Sequence, residues 1–119
     1  MRKREIRISK PDVVEGDYEA FREIFASGWL TRGPKVSEFE ERLRGYLGVE
    51  HIVSCSSGTA ALHLAILANG IGDGDEVIVP DFTFPATANA VEHSGAKTVL
   101  VDINRENLNL DAKECEKRI

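Results

Sequence analysis

From His51 onward, short β-type apolar runs alternate with helical segments, and this alternation limits the chain to few architectures. His51–Cys55 reads as a first short strand, and Thr59–Asn69 as an apolar helix stopped by Gly70. Glu76–Val79 is a second strand closed by Pro80, and Ala86–His93 a helix ending near Gly95. Lys97–Ile103 is a third strand, and Asp111–Ile119 opens another helix. Such alternation predicts an α/β fold with parallel strands joined by right-handed crossovers. Uniformly apolar strands predict a mostly parallel sheet with helices on both faces. Three strands are few for such a sheet, so the reading expects a fragment, or half of an assembly of two chains.

Residues 1–48 read as a leader of two helices, and 49–119 as the first, incomplete part of the α/β domain. Asp12 is a candidate N-cap for a helix whose Val14, Tyr18, Phe21 and Phe25 recur at helical spacing, ended by Gly28. Trp29–Gly33 is a loop. Pro34 suits the first turn of a second helix, striped by Val36, Phe39, Leu43 and Leu47 and terminated by Gly48.

A net charge of -5 argues against a general nucleic-acid surface, and the cluster Arg2-Lys3-Arg4 reads as solvated charge. No apolar run has the length of a membrane span, and the N-terminus lacks a secretory core. Cys55 and Cys115 make neither a disulfide framework nor a zinc spacing, and His51, His63 and His93 show no metal spacing. The expectation is a soluble cytoplasmic protein without metal. Cys55 reads as a small buried hydrophobe and His63 as a packed helix residue. Asp73 and Asp75 read as turn formers.

Ser54-Cys55-Ser56-Ser57-Gly58-Thr59-Ala60 lies where a strand hands over to a helix. A helix N-terminus exposes unpaired N–H groups and partial positive charge, and Gly58 permits close approach of an anion. Ser57 and Thr59 add hydroxyls, and the N–H groups of Thr59 and Ala60 would point at a phosphate. The same residues equally suit a small-residue turn with a hydroxyl capping a core helix. Both nucleotide signatures, GxxxxGK[ST] and GxGxxG, are absent. A second segment, Pro80–Asn89, follows the second strand on the same rim. There Phe84 is placed to stack on a flat ring, while Phe82 is expected in the core. Asp102, ending the third strand, reads as a cap of the following turn before a ligand contact.

Taken together, Ser-Gly-Thr-Ala-Ala-Leu-His-Leu-Ala at 57–65, Gly-Asp-Glu-Val-Ile-Val-Pro at 74–80, Phe-Thr-Phe at 82–84, Ala-Thr-Ala-Asn-Ala at 86–90 and Val-Asp-Ile at 101–103 resemble the DegT/DnrJ family of sugar aminotransferases dependent on pyridoxal 5'-phosphate (PLP). The leader Ser-Gly-Trp-Leu-Thr-Arg-Gly-Pro-Lys-Val at 27–36 resembles it too, so the likeness runs over nearly the whole chain. The resemblance implies the N-terminal part of a PLP-dependent transferase large domain. It implies cofactor contacts at Ser57, Gly58, Thr59, Ala60 and Phe84, and substrate contacts at Trp29, Leu30 and Thr31. It also implies a nucleotide-sugar substrate, an amino-acid donor and a homodimer. The lysine that carries the cofactor in such enzymes has no match here. Lys3, Lys10, Lys35, Lys97, Lys113 and Lys117 all lack the family context, and the aspartate that pairs with the pyridine nitrogen is likewise unmatched. The chain is therefore expected to have no catalytic residue of its own and to be inactive alone, needing a complementary C-terminal chain. A non-catalytic truncated relative and a PLP-dependent sugar dehydratase relative are the alternatives.

Overall fold

The computed structural model describes residues 9–119, so Arg2-Lys3-Arg4 lies outside the described residues. The chain divides into two compact units, Met1–Ser54 and Cys55–Ile119.

The first unit is a helical pair. Helix α1 spans Glu15–Ser27. Its N-cap is Val14, not Asp12: the Val14 N–H donates to Asp17 Oδ2 at 2.9 Å, so an acid inside the first turn satisfies the helix entry. Gly28 ends it in the left-handed conformation, φ +73°, where a side chain would be strained. Helix α2 spans Pro34–Leu47, with Pro34 in its first turn and Gly48 as its left-handed cap. Neither helix has a buried residue, and the stripe of Tyr18, Phe21 and Phe25 stays at least 60% exposed.

The segment 51–55 is not a strand: Val53 is 73% exposed, and no ladder partner lies beside it among the described residues. β-propensity alone cannot hold a strand without a neighbour. The chain is instead anchored at Ser54, whose N–H and Oγ–H both donate to Glu40 Oε1 on α2 at 2.8 Å.

The second unit opens with α3, Gly58–Ala68, and continues with β1, Glu76–Pro80. Helix α4, Ala86–His93, leads to β2, Lys97–Val101, and the short α5, Ala112–Glu116, follows. The strands pair in parallel, Glu76 opposite Lys97 through to Pro80 opposite Val101. Helix α4 packs across both strands, and α3 packs on α4. The core is small: Val79, Val91 and Ala96 are at most 3% exposed, with Ile66, Ile71, Val77 and Ala88 packed against them. Ala86 and Ala90 are also buried, which lets α4 lie close to the strands.

Strand β2 stops two residues before Ile103. The Ile103 N–H donates to Asp102 Oδ1 at 2.8 Å, and Ile103 turns into an isolated antiparallel bridge with Leu110. Asp102 thus caps a turn, as its position suggested. Asp75 behaves likewise, accepting the Gly72 N–H at 2.9 Å. Leu100, in the middle of β2, is 55% exposed, so that strand is not enclosed on both faces as its composition predicts.

Two outcomes follow. Val91→Ala should lower unfolding free energy by about 2 kcal/mol, read as a shift of the urea midpoint with unchanged slope. The hydrogen bonds from Ser54, backbone first, hold the Glu40 carboxyl below the usual glutamate range. A depressed folded pKa means that the Glu40–Ser54 clasp contributes above that range and is lost as pH falls through the folded value. An NMR titration of the Ser54 amide should show this acid transition, and Glu40→Gln should abolish it.

Candidate functional site

Ser57 is the N-cap of α3, and its backbone is extended at φ -163° and ψ 162°. The Ala60 N–H donates to Ser57 Oγ at 3.1 Å, and the Ala61 N–H donates to the Ser57 carbonyl at 3.0 Å. The Ala60 amide, expected to face an anion, is therefore consumed by the cap. The N–H groups of Gly58 and Thr59 remain, and neither finds an acceptor among the described residues. A Cβ built on Gly58 would meet nothing within 4 Å, so the space before this turn is open. Two unspent amides at the positive end of an 11-residue helix, a neighbouring threonine hydroxyl and an open approach together fit a phosphate group.

A cleft of about 580 Å³ opens at this turn. Gly58 and Thr59 form one end, Ala61, Leu62 and Ala65 its apolar floor, and Phe84, Ala86 and Thr87 the opposite wall. The volume lies in the range of small-molecule and cofactor sites. No charged residue lines it, so the helix end itself is its source of positive potential. Phe84 is 75% exposed, and its ring is available for stacking. Phe82 does not enter the core: it is 69% exposed, because the segment 81–85 rides over the strand end without a layer above it. Cys55 is likewise exposed and not a buried hydrophobe, its Sγ lying 3.5 Å from the Ser57 carbonyl. The chain here turns into the helix instead of running as a strand through a core.

The floor residues could have been found by counting from Gly58, since 58, 61, 62 and 65 share one face of a helix. His63 projects elsewhere, its ring centroid 6.0 Å from that of His93 and its buried Nε2 without a partner among the described residues.

In the first unit, Trp29 and Leu30 are 62% and 65% exposed and line a separate small cavity with Arg32, while Thr31 does not line it. Among the described residues no group of three or more His, Cys, Asp or Glu could hold a metal ion, and no helix is long and apolar enough to cross a membrane.

The fold is that of the N-terminal part of PLP-dependent aminotransferases. It superposes on the PLP form of the putative sugar aminotransferase Spr1654 from Streptococcus pneumoniae with a TM-score of 0.90 and 38% identity, covering 96% of this chain and 29% of that one. Residues 11–119 match the DegT/DnrJ/EryC1/StrS aminotransferase family, and the chain belongs to that family. The UDP-4-amino-4-deoxy-L-arabinose–oxoglutarate aminotransferase of Shewanella sediminis is 43% identical over 109 residues, which are 92% of this chain and 28% of that protein. The GDP-perosamine synthase of Caulobacter vibrioides is 42% identical over 112 residues, 93% of this chain and 30% of that protein. The chain thus spans under a third of the length of these relatives.

Because the Ser57 hydroxyl oxygen accepts the Ala60 N–H as the cap, Ser57→Ala should destabilise the second unit by about 1 kcal/mol. Chemical denaturation followed by circular dichroism checks this, and Ser57→Asp should restore most of the loss.

Proposed function

We propose that the chain supplies the phosphate-binding turn and ring wall of an enzyme that moves an amino group from an amino acid to a nucleotide-linked keto sugar. The observation that carries this reading is the cleft in which the free amides of Gly58 and Thr59 lie opposite the exposed Phe84 ring. When bound there, pyridoxal 5'-phosphate supplies the electron sink on which amino transfer runs. Gly58 and Thr59 donate to its phosphate, with Ser57 holding the turn through its cap. Phe84 stacks on the ring, and Leu62 and Ala65 exclude water from the apolar side. Trp29, Leu30 and Thr31 form a substrate-facing loop.

Lys35, Lys97 and Lys117 each have a carboxylate partner and are poorly suited to carry the cofactor. Such a lysine must lose its proton to act as a nucleophile. Lys35, the least unsuitable candidate, donates to Glu23 at 2.9 Å and lies near Glu38, and the Glu23 hydrogen bond and charge raise its pKa. Lys97 pairs with Glu76 at the amino end of the strands, and Lys117 with Glu114. Activity therefore needs residues from a complementary C-terminal segment or chain, in a cytoplasmic homodimer of the complete enzyme.

Adding pyridoxal phosphate should shift the Gly58 and Thr59 amide resonances. Gly58→Val puts side-chain bulk into the open approach and should weaken binding by about 1.5–3 kcal/mol, tenfold or more, the size of a hydrogen bond to a charged group. Unmoved amides would remove the phosphate assignment. Borohydride reduction and mass spectrometry should find only scattered lysine labelling. One stoichiometric adduct accompanied by amino transfer from glutamate would show that this chain carries its own catalytic lysine.

A further inference from the structure

Phe84 is exposed, so packing does not hold its ring at the wall of the cleft; the backbone beneath it does. Segment 81–85 is tied at both ends. The Asp81 N–H donates to the Val101 carbonyl at 3.0 Å, carrying the strand pairing one residue past Pro80. Beyond the ring, the Thr87 N–H donates to the Phe84 carbonyl and the Asn89 N–H to the Pro85 carbonyl, both at 3.0 Å. Pro85, at φ -53°, disfavours helical backbone at Phe84 before it. One further tie is made by side chains alone: Thr83 Oγ1 and Thr87 Oγ1 lie 3.1 Å apart, within hydrogen-bond distance.

Thr87 thus grips Phe84 twice, with its N–H on the Phe84 carbonyl and its hydroxyl on the residue before the ring. Both threonines are branched at Cβ and stiff at χ1, so little rotamer freedom is lost when their hydroxyls meet. Thr87 lines the cleft beside Phe84, and the hydroxyl pair is exposed, apart from the core of Val79, Val91 and Ala96. We infer that the Thr83–Thr87 hydroxyl pair is a positioning device for the Phe84 ring, holding it in the attitude that stacks on a flat aromatic ligand. The inference rests on the cofactor reading proposed above. It makes Thr83 and Thr87 determinants of affinity for the ring half of pyridoxal 5'-phosphate and leaves its phosphate to Gly58 and Thr59.

The full chain is titrated with pyridoxamine 5'-phosphate, which has ring and phosphate but no aldehyde to react with lysines, and with inorganic phosphate, which has no ring. The Gly58 and Thr59 amide resonances report both ligands, and NMR relaxation of the Phe84 amide reports the order of the segment without any ligand. Thr87→Val keeps the side-chain shape and removes the hydroxyl. It should loosen the Phe84 amide and weaken pyridoxamine phosphate binding about threefold to tenfold, the range that a stacked aromatic pair is worth, with inorganic phosphate affinity unchanged. Thr83→Val should do the same, the double variant no more than either, and Thr87→Ser should restore binding. In a Phe84→Leu background, Thr87→Val should cost nothing further, which a general structural role would not produce. An unaltered Phe84 amide in Thr87→Val, an equal loss of inorganic phosphate affinity, or a loss that persists in Phe84→Leu overturns the inference. Amides at Gly58 and Thr59 that answer both ligands while Thr87→Val changes nothing sink the hydroxyl pair and spare the cofactor reading. A Phe84 amide loosened by Thr87→Val, in a chain whose Gly58 and Thr59 amides ignore both ligands, spares the pair as the device that holds Phe84 and sinks the cofactor reading.

Discussion

Parallel strands cannot be joined by a tight turn, so the second unit depends on the crossover that carries the chain from the end of β1 back to the start of β2. Helix α4 is that crossover, and its contact with the strands makes the unit a folded body. The fit is made by size: Ala86 and Ala90 bring the helix near, and Val79 and Val91 fill the gap. Everything in the cleft is referred to this contact. Phe84 stands just before α4, and α3, which carries Gly58 and Thr59, is held by packing on α4. The two walls of the cleft thus share one support.

Helix α3 shows what this support leaves undone. Its sequence GTAALHLAILA is apolar almost all round, the pattern of a helix covered on every side. Yet none of its residues is buried, and Leu62, Leu64 and Leu67 remain 42–50% exposed. In the first unit the aromatic stripe of α1 is in the same state. Sequence and burial agree only where α4 meets the strands.

What the sequence made legible follows from this division. Strand 76–80, helix 86–93 and the start of strand 97–101 could be read almost to the residue, because Pro80, Gly95 and the shift from period 2 to helical spacing are local signals. The Ser57 turn was legible as a helix entry, though not which amides it would leave free, since that depends on the rotamer of a single hydroxyl. That 51–55 would form no strand and that Phe82 and Cys55 would stay exposed was not legible, because burial and pairing need a neighbour that no local pattern specifies. The end of β2 belongs to the same class: Thr-Val-Leu-Val-Asp-Ile reads as continuous, and only Asp102 folding back on its own chain stops it.

The register of the strand pair has a consequence for the chain as it emerges from the ribosome. Each strand is paired on one side only among the described residues, so each presents a free backbone edge to other copies. The edges are five residues long, begin at the Glu76–Lys97 ion pair, and in β1 end at Pro80, which has no N–H to offer. A short template with charge at one end and a missing donor at the other is poor at recruiting strands from its neighbours. The residues that set the pairing also act as gatekeepers against aggregation of the nascent chain.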